Sequence, residues 1–452
     1  MEYAPLNGEI HVHVHALHTR GDACVYVHPF PHLSYPKRKS RKTSSMVTTR
    51  ARKYGTDSPS QSPSPSQAQA QAQTLSSRRS RWAHLLHARH FQPVIADVLS
   101  HELPKYTRST VLPASLAAVV RECVLILASA PSVLLAAVDG TLPRRMVTDA
   151  TLQHEYAVVR ERALVQPSIY VHLLVDEHGV APTATQYGAI RETVLQYVGA
   201  GSEHHELAWS IDNGSPPPPP ATATAASGYR KYLWTAHRSP QHVATLLRFC
   251  AGVEQRLARI APADGALPLR YAPGECGYSV NAHVRLGQHR ARQSSNYVMN
   301  LVEDICAYLH QVGRFAALYT MQPFIVSLLF RPQQAAIAEI FISGLMQVWV
   351  DGGGGLNAYP AGRSVASAWR VDGERWAEHE AWVWENTGVE RNLRVQRERL
   401  EGDVIGLEGV AEEVWREALG SGDEDGDDSR DGDYVPEKLV PSLEGLELEE
   451  EI

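Results

Sequence analysis

Arg285 and His289 stand four residues apart in the string Gly277-Tyr278-Ser279-Val280-Asn281-Ala282-His283-Val284-Arg285-Leu286-Gly287-Gln288-His289. On a helix that spacing puts a guanidinium and an imidazole on one face. A guanidinium forks bidentately onto a phosphate, and an imidazole transfers protons near neutral pH. His283, Arg290 and Arg292 extend the positive charge along the same segment, a track that a nucleic-acid backbone would follow. Further on, Glu339 is the single carboxylate of an apolar helical run over 333–350. A lone carboxylate suits Mg²⁺, which keeps several waters and takes few protein ligands. These are the parts that hydrolysis of a phosphodiester needs: a metal, a fixed cation and a proton-transfer group. The same residues also admit a plain structural reading. Arg285, His289, Arg290 and Arg292 then form a solvated helix face, and Glu339 is a surface residue or an ion-pair partner of Arg285.

The elements that must position these residues follow from periodicity and capping. A strand over 267–271 leads to Gly277, and Asn281 is the N-cap of a helix over 282–292. Ser295-Asn296 caps a second helix, 297–311, whose Val298, Leu301, Val302 and Ile305 point inward. The apolar run Phe324 to Phe330 reads as a central strand, and Pro332 starts the helix that bears Glu339. Asp351 and four glycines break that helix before a loop, 356–363, that contains Asn357 and ends at Arg363.

Upstream, order begins near Trp82. Helices are expected over 114–130 and 148–164, with a short one ending at Asp139-Gly140, then a buried strand from Ile169 to Val175. A helix over 183–198 and a strand over 206–211 follow. A proline-rich loop, 212–228, interrupts the core before strand-like Tyr232–Thr235 and a long helix over 240–260. Helices over 372–386 and 389–418 carry Trp376, Trp382 and Trp384 just beyond Trp369, spaced as residues that pack onto a core. The class is α/β (α+β), a small mixed sheet with flanking helices. Its divisions are a helical part over 82–165, an α/β core over 166–363 and C-terminal helices over 364–420.

The string from Gly277 to His289 resembles the second motif of the GIY-YIG nuclease superfamily, in which a glycine closes a strand and a helix presents Arg-Leu-x-x-His. The later strand, the helix bearing Glu339 and Asn357 in the loop after it are similar in order, and Ser168-Ile169-Tyr170 is similar to the first motif's strand. The resemblance implies a metal-dependent endonuclease acting on DNA or RNA. It assigns catalytic roles to Arg285, His289 and Asn357 and to a tyrosine, Tyr170 or Tyr278, with Mg²⁺ on Glu339. His283, Arg290, Arg292 and Arg363 would line the nucleic-acid track. Two departures stand out. Glu275-Cys276 occupies the place of Tyr-Ile before the glycine, and over 100 residues separate Tyr170 from Gly277. A silent scaffold that keeps the fold and binds a partner through the basic helix is the alternative.

Composition sets the frame. The net charge of -7 conceals two oppositely charged ends. Residues 1–80 hold eleven Lys/Arg against four Asp/Glu, whereas residues 421–452 hold thirteen Asp/Glu against two Lys/Arg. Segments 1–81 and 421–452 therefore read as disordered tails. The run Lys37-Arg38-Lys39-Ser40-Arg41-Lys42 matches a nuclear-import or nucleic-acid patch, and His11, His13, His15 and His18 alternate as a weak chelating set. Five scattered cysteines with no C-x-x-C fit reduced thiols in the nucleus or cytoplasm. The longest apolar stretch, 124–138, is too short to span a bilayer, so no membrane segment is expected. No P-loop, G-x-S-x-G or dinucleotide fingerprint is present.

Overall fold

The computed structural model describes residues 75–106, 111–113, 115–233, 238–293 and 296–402. The helices α1 (Leu75–His87), α2 (Phe91–Glu102), α3 (Leu116–Ala128), α4 (Ser132–Asp139), α5 (Leu142–Thr148) and α6 (Ala150–Arg162) come first and lead into strand β1 (Ser168–Val175). Then come α7 (Ala184–Val198), α8 (His205–Asn213), α9 (Pro240–Leu257), β2 (Gly274–Ser279), α10 (Ala282–Arg290) and α11 (Tyr297–Gln311). Strand β3 (Thr320–Leu328), α12 (Gln334–Met346), α13 (Gly373–Asn386) and α14 (Val389–Gly402) complete the described residues. Local chemistry fixes many of the helix starts. Ser115, Asp149, Ser239, Asn281, Asn296 and Asp372 each accept a backbone N–H of the first turn, and Thr183 with Gln186 forms a capping box on α7.

The α+β class holds. Three strands form one sheet in the order β2-β1-β3, and both pairings are antiparallel. The expected mixed sheet is corrected on that point: among the described residues parallel pairing enters only as isolated bridges, Gly274 with Gly355 and Trp349 with Asn357. β1 is central and every one of its residues is buried. One face and the flanking helices form a core that runs from Trp82 in α1 through Val171 and Phe341 to Val389 in α14. The helical segment 82–165, the sheet and the C-terminal helices thus share one interior. A second core, beyond the end of β1, joins α7, α8, α9 and α11 around Leu174 and Val175.

Several expectations are overturned. The described chain begins with α1 at Leu75, inside the segment assigned to a tail, and Arg79 belongs to the core. Its guanidinium donates to the carbonyls of Ala137 (2.7 Å), Val138 (3.3 Å) and Met346 (3.1 Å), so it closes the C-terminal ends of α4 and α12 together. Burial, chiefly, lowers its pKa to about 9. Segment 206–211 is helix α8, not a strand. Leu207, Trp209 and Ile211 alternate like a strand, yet the residues that bury are Ala208, Ile211 and Asp212, at helical spacing. Segment 267–271 contributes one bridge, Pro268 with Thr183, and Tyr232 lies in a turn. The proline-rich insertion is anchored rather than free: Asp212 accepts from the Tyr197 hydroxyl (2.8 Å) and from the Lys231 N–H (2.8 Å). Trp376 packs in the core as expected, but Trp369 is exposed.

No single helix among the described residues is long and apolar enough to cross a membrane. α3 and α4 pass that test only as a pair, and the chain bends by 102° between them. The basic run 37–42, the histidines 11–18, Cys24 and the acidic segment 421–452 lie outside the described residues; the other four cysteines are buried free thiols.

Candidate functional site

Side chains alternate across β1, so one strand serves two purposes. Ile169, Val171 and Leu173 enter the main core together with Cys276 and Tyr278 of β2. Tyr170 and His172 take the other face. Register sets Tyr170 opposite Gly277 and His172 opposite Glu275. The separation in sequence between Tyr170 and Gly277 is thereby absorbed: the intervening helices form the second core, and the two strands still pair.

Gly277 is a glycine for a spatial reason. A Cβ there would lie 2.5 Å from the Tyr170 hydroxyl oxygen and 2.7 Å from its Cζ. The phenol therefore lies across the glycine, beneath α10. Asn281 caps that helix, its Oδ1 accepting the Val284 N–H (3.1 Å), and Ala282 and Leu286 seat it against Tyr170, Ile325 and Val159. This seating brings Arg285 and His289 onto the phenol. Arg285 Nε donates to the Tyr170 hydroxyl (3.4 Å), and that hydroxyl is hydrogen-bonded to His289 Nε2 (3.1 Å). Arg285 Nη1 donates to Gln288 Oε1 at 3.2 Å.

Beside this row His172 Nδ1 is hydrogen-bonded to Glu275 Oε2 at 2.8 Å, and the His172 and His289 rings lie 4.7 Å apart between centroids. His172, Glu275 and His289 are 2, 6 and 3% exposed, and Tyr170 is 2% exposed. Sequence reasoning missed His172 and Glu275. The available signal was the strand period, which sets His172 on the same face as Tyr170, together with the acidic residue Glu275 two residues before the glycine.

Burial dominates the electrostatics. It holds the His289 imidazole down at about 4, neutral at physiological pH, and pushes the Tyr170 phenol well above its usual range. Burial also acts to raise the Glu275 pKa, but the His172 hydrogen bond and charge, with His289 and Arg285, outweigh it and hold the carboxylate below its ordinary range.

Glu339 is partly buried on α12. Its Oε2 accepts the Gly362 N–H at 2.9 Å. Burial raises its pKa to about 7; the Gly362 N–H opposes the rise, the nearby Glu275 charge reinforces it, and Arg285 works against it. A single carboxylate is a donor that Mg²⁺ takes when its other ligands are waters. The other expected residues divide. Tyr278 points into the main core, away from Arg285, and its phenol is pushed up to about 12 by burial. Asn357 acts as a surrogate peptide on the free edge of β2, accepting the Cys276 N–H (3.1 Å) and donating to the Cys276 carbonyl (2.9 Å). It positions the strand that bears Glu275 and Gly277 and faces no reacting group.

Arg292 is withdrawn from any backbone track by ion pairs with Glu303 and, at 2.8 Å, Asp304. His283 Nε2 is hydrogen-bonded to the Arg160 carbonyl at 2.7 Å. Arg290 and Arg363 are exposed, and Arg285 is half-buried. The four glycines form no phosphate cradle. A Cβ at Gly355 would lie 2.2 Å from the Gly274 carbonyl oxygen, and one at Gly353 would lie 2.3 Å from that of Gly252, so they allow backbone to pack on backbone. No family model matches the chain, and no curated protein or solved structure is significantly similar to it.

Proposed function

We propose that this chain is a nucleic-acid phosphodiesterase of GIY-YIG type. The observation that carries the reading is the row Arg285–Tyr170–His289, three side chains from two distant segments joined by hydrogen bonds across Gly277. In the proposed reaction Arg285 holds a non-bridging phosphoryl oxygen and offsets the charge that builds on the transferring group. The Tyr170 hydroxyl would take the proton of the attacking water while passing its own to the neutral His289 imidazole. Glu339 would hold Mg²⁺, which when bound would supply polarisation of the phosphoryl group, and Arg290 meets a flanking phosphate.

One observation favours a second reading. Tyr170, His289 and Glu275 are nearly inaccessible to solvent, as they would be in a silent scaffold that uses the row only to brace α10 on the sheet. Cleavage of labelled branched and linear DNA and RNA with Mg²⁺ or Mn²⁺ separates the two. The enzyme reading expects metal-dependent cutting that Glu339→Ala abolishes and Arg285→Ala lowers by about 100-fold or more. Salt-sensitive binding with no cutting by the wild-type chain would establish the scaffold instead.

A further inference from the structure

His172, Glu275 and His289 each offer a donor atom, and the three atoms lie within 4.8 Å of one another. They come from β1, β2 and α10, elements fixed by register and capping rather than from loops. From this convergence we infer a second metal site, for a zinc-class transition ion, distinct from the one that Glu339 would provide. Two imidazoles and one carboxylate form a donor set that zinc takes with a water in the fourth position, whereas Mg²⁺ prefers oxygen alone.

A separate observation points to the same ion. His289 Nδ1 is buried and has no hydrogen-bond partner, while the other nitrogen of the ring is engaged by Tyr170. A buried ring nitrogen without a partner is costly in either tautomer, and a metal is a partner that this neighbourhood can supply once that nitrogen is deprotonated. The surrounding contacts are those of a supported metal ligand. Tyr170 holds Nε2 of His289 and is itself held by Arg285, which fixes the ring's orientation. Metal on one nitrogen leaves the other as an N–H donor to Tyr170, so a metal-loaded His289 holds the phenol but no longer takes its proton. Metal binding itself does not rest on hydrolysis.

The test uses the full chain, freed of metal by chelation and titrated with Zn²⁺ and with Co²⁺ as a visible probe. About one equivalent is expected to bind, with an intense tetrahedral Co²⁺ absorption band and a raised melting temperature that Mg²⁺ does not reproduce. Glu275→Gln and His172→Asn should lose the band and the shift while keeping the helical circular-dichroism spectrum. Glu339→Gln should retain both. A variant with alanine at His11, His13, His15 and His18 should also retain both, which excludes the N-terminal histidines as the ligands. If the Glu275 and His172 variants do not fold, X-ray absorption on the zinc-loaded wild-type chain decides, since it must show two imidazole nitrogens. A folded wild-type chain that takes up no ion, or variants that bind as tightly as wild type, would overturn the inference. So would loss of binding in the four-histidine variant.

Discussion

The two faces of β1 differ in every respect except burial. Ile169, Val171 and Leu173 on one side join the apolar main core. Tyr170 and His172 on the other are as deeply buried, yet they meet an imidazole, a guanidinium and a carboxylate. Apolar burial stabilises without further arrangement, whereas ionisable burial costs free energy unless each group finds a partner. The difference therefore separates the face that holds the sheet by apolar contact from the face whose buried polar groups must satisfy one another.

That contrast can be broken by experiment. The largest effect belongs to the apolar face. Leu173→Ala should lower unfolding free energy by roughly 2–5 kcal/mol in denaturant titrations, with metal stoichiometry unchanged in the folded protein. An acid-dependent effect of similar size should come from the polar face. In chelator-treated protein the His289 pKa is near 4, against an unfolded value of 6.5. The stability this represents is present above pH 6.5 and lost as pH falls towards 4, amounting to roughly 3 kcal/mol at most. Urea midpoints at neutral and acid pH should therefore diverge more for wild type than for His289→Gln. Next, Gly277→Ala drives a methyl into the Tyr170 phenol and should cost about 1–3 kcal/mol, but it should remove cleavage altogether. The smallest effect is Arg290→Ala, which should weaken nucleic-acid binding evenly across sequences and lower the salt slope by about one.

The helices around the site were legible because their signals are local. Asn281, Asn296 and the pair Thr183 with Gln186 mark helix starts by chemistry that acts within one turn. The four-residue spacing of Arg285 and His289 was legible for the same reason. Cross-strand register is a different kind of information. Nothing near Tyr170 announces that Gly277 is its partner, and nothing near His172 announces Glu275, because those pairings arise only when β2 folds back over the helices between them. Arg79 was misassigned for a similar reason. Its neighbours are polar and basic, and only the carbonyl ends of α4 and α12, far along the chain, show what it does. Tyr278 illustrates the reverse error. It lies beside the glycine of the motif but on the opposite side of the pleat, and a one-residue step in a strand reverses the face.

Single-turnover cleavage by Tyr170→Phe addresses the central claim, because the substitution removes one oxygen from the polar face and leaves the packing of the ring. The account predicts a rate at least about 100-fold below wild type in Mg²⁺, with unchanged substrate affinity and a melting temperature within a few degrees of wild type. Equal rates for the two proteins, or no cleavage by either while both remain folded, would contradict it.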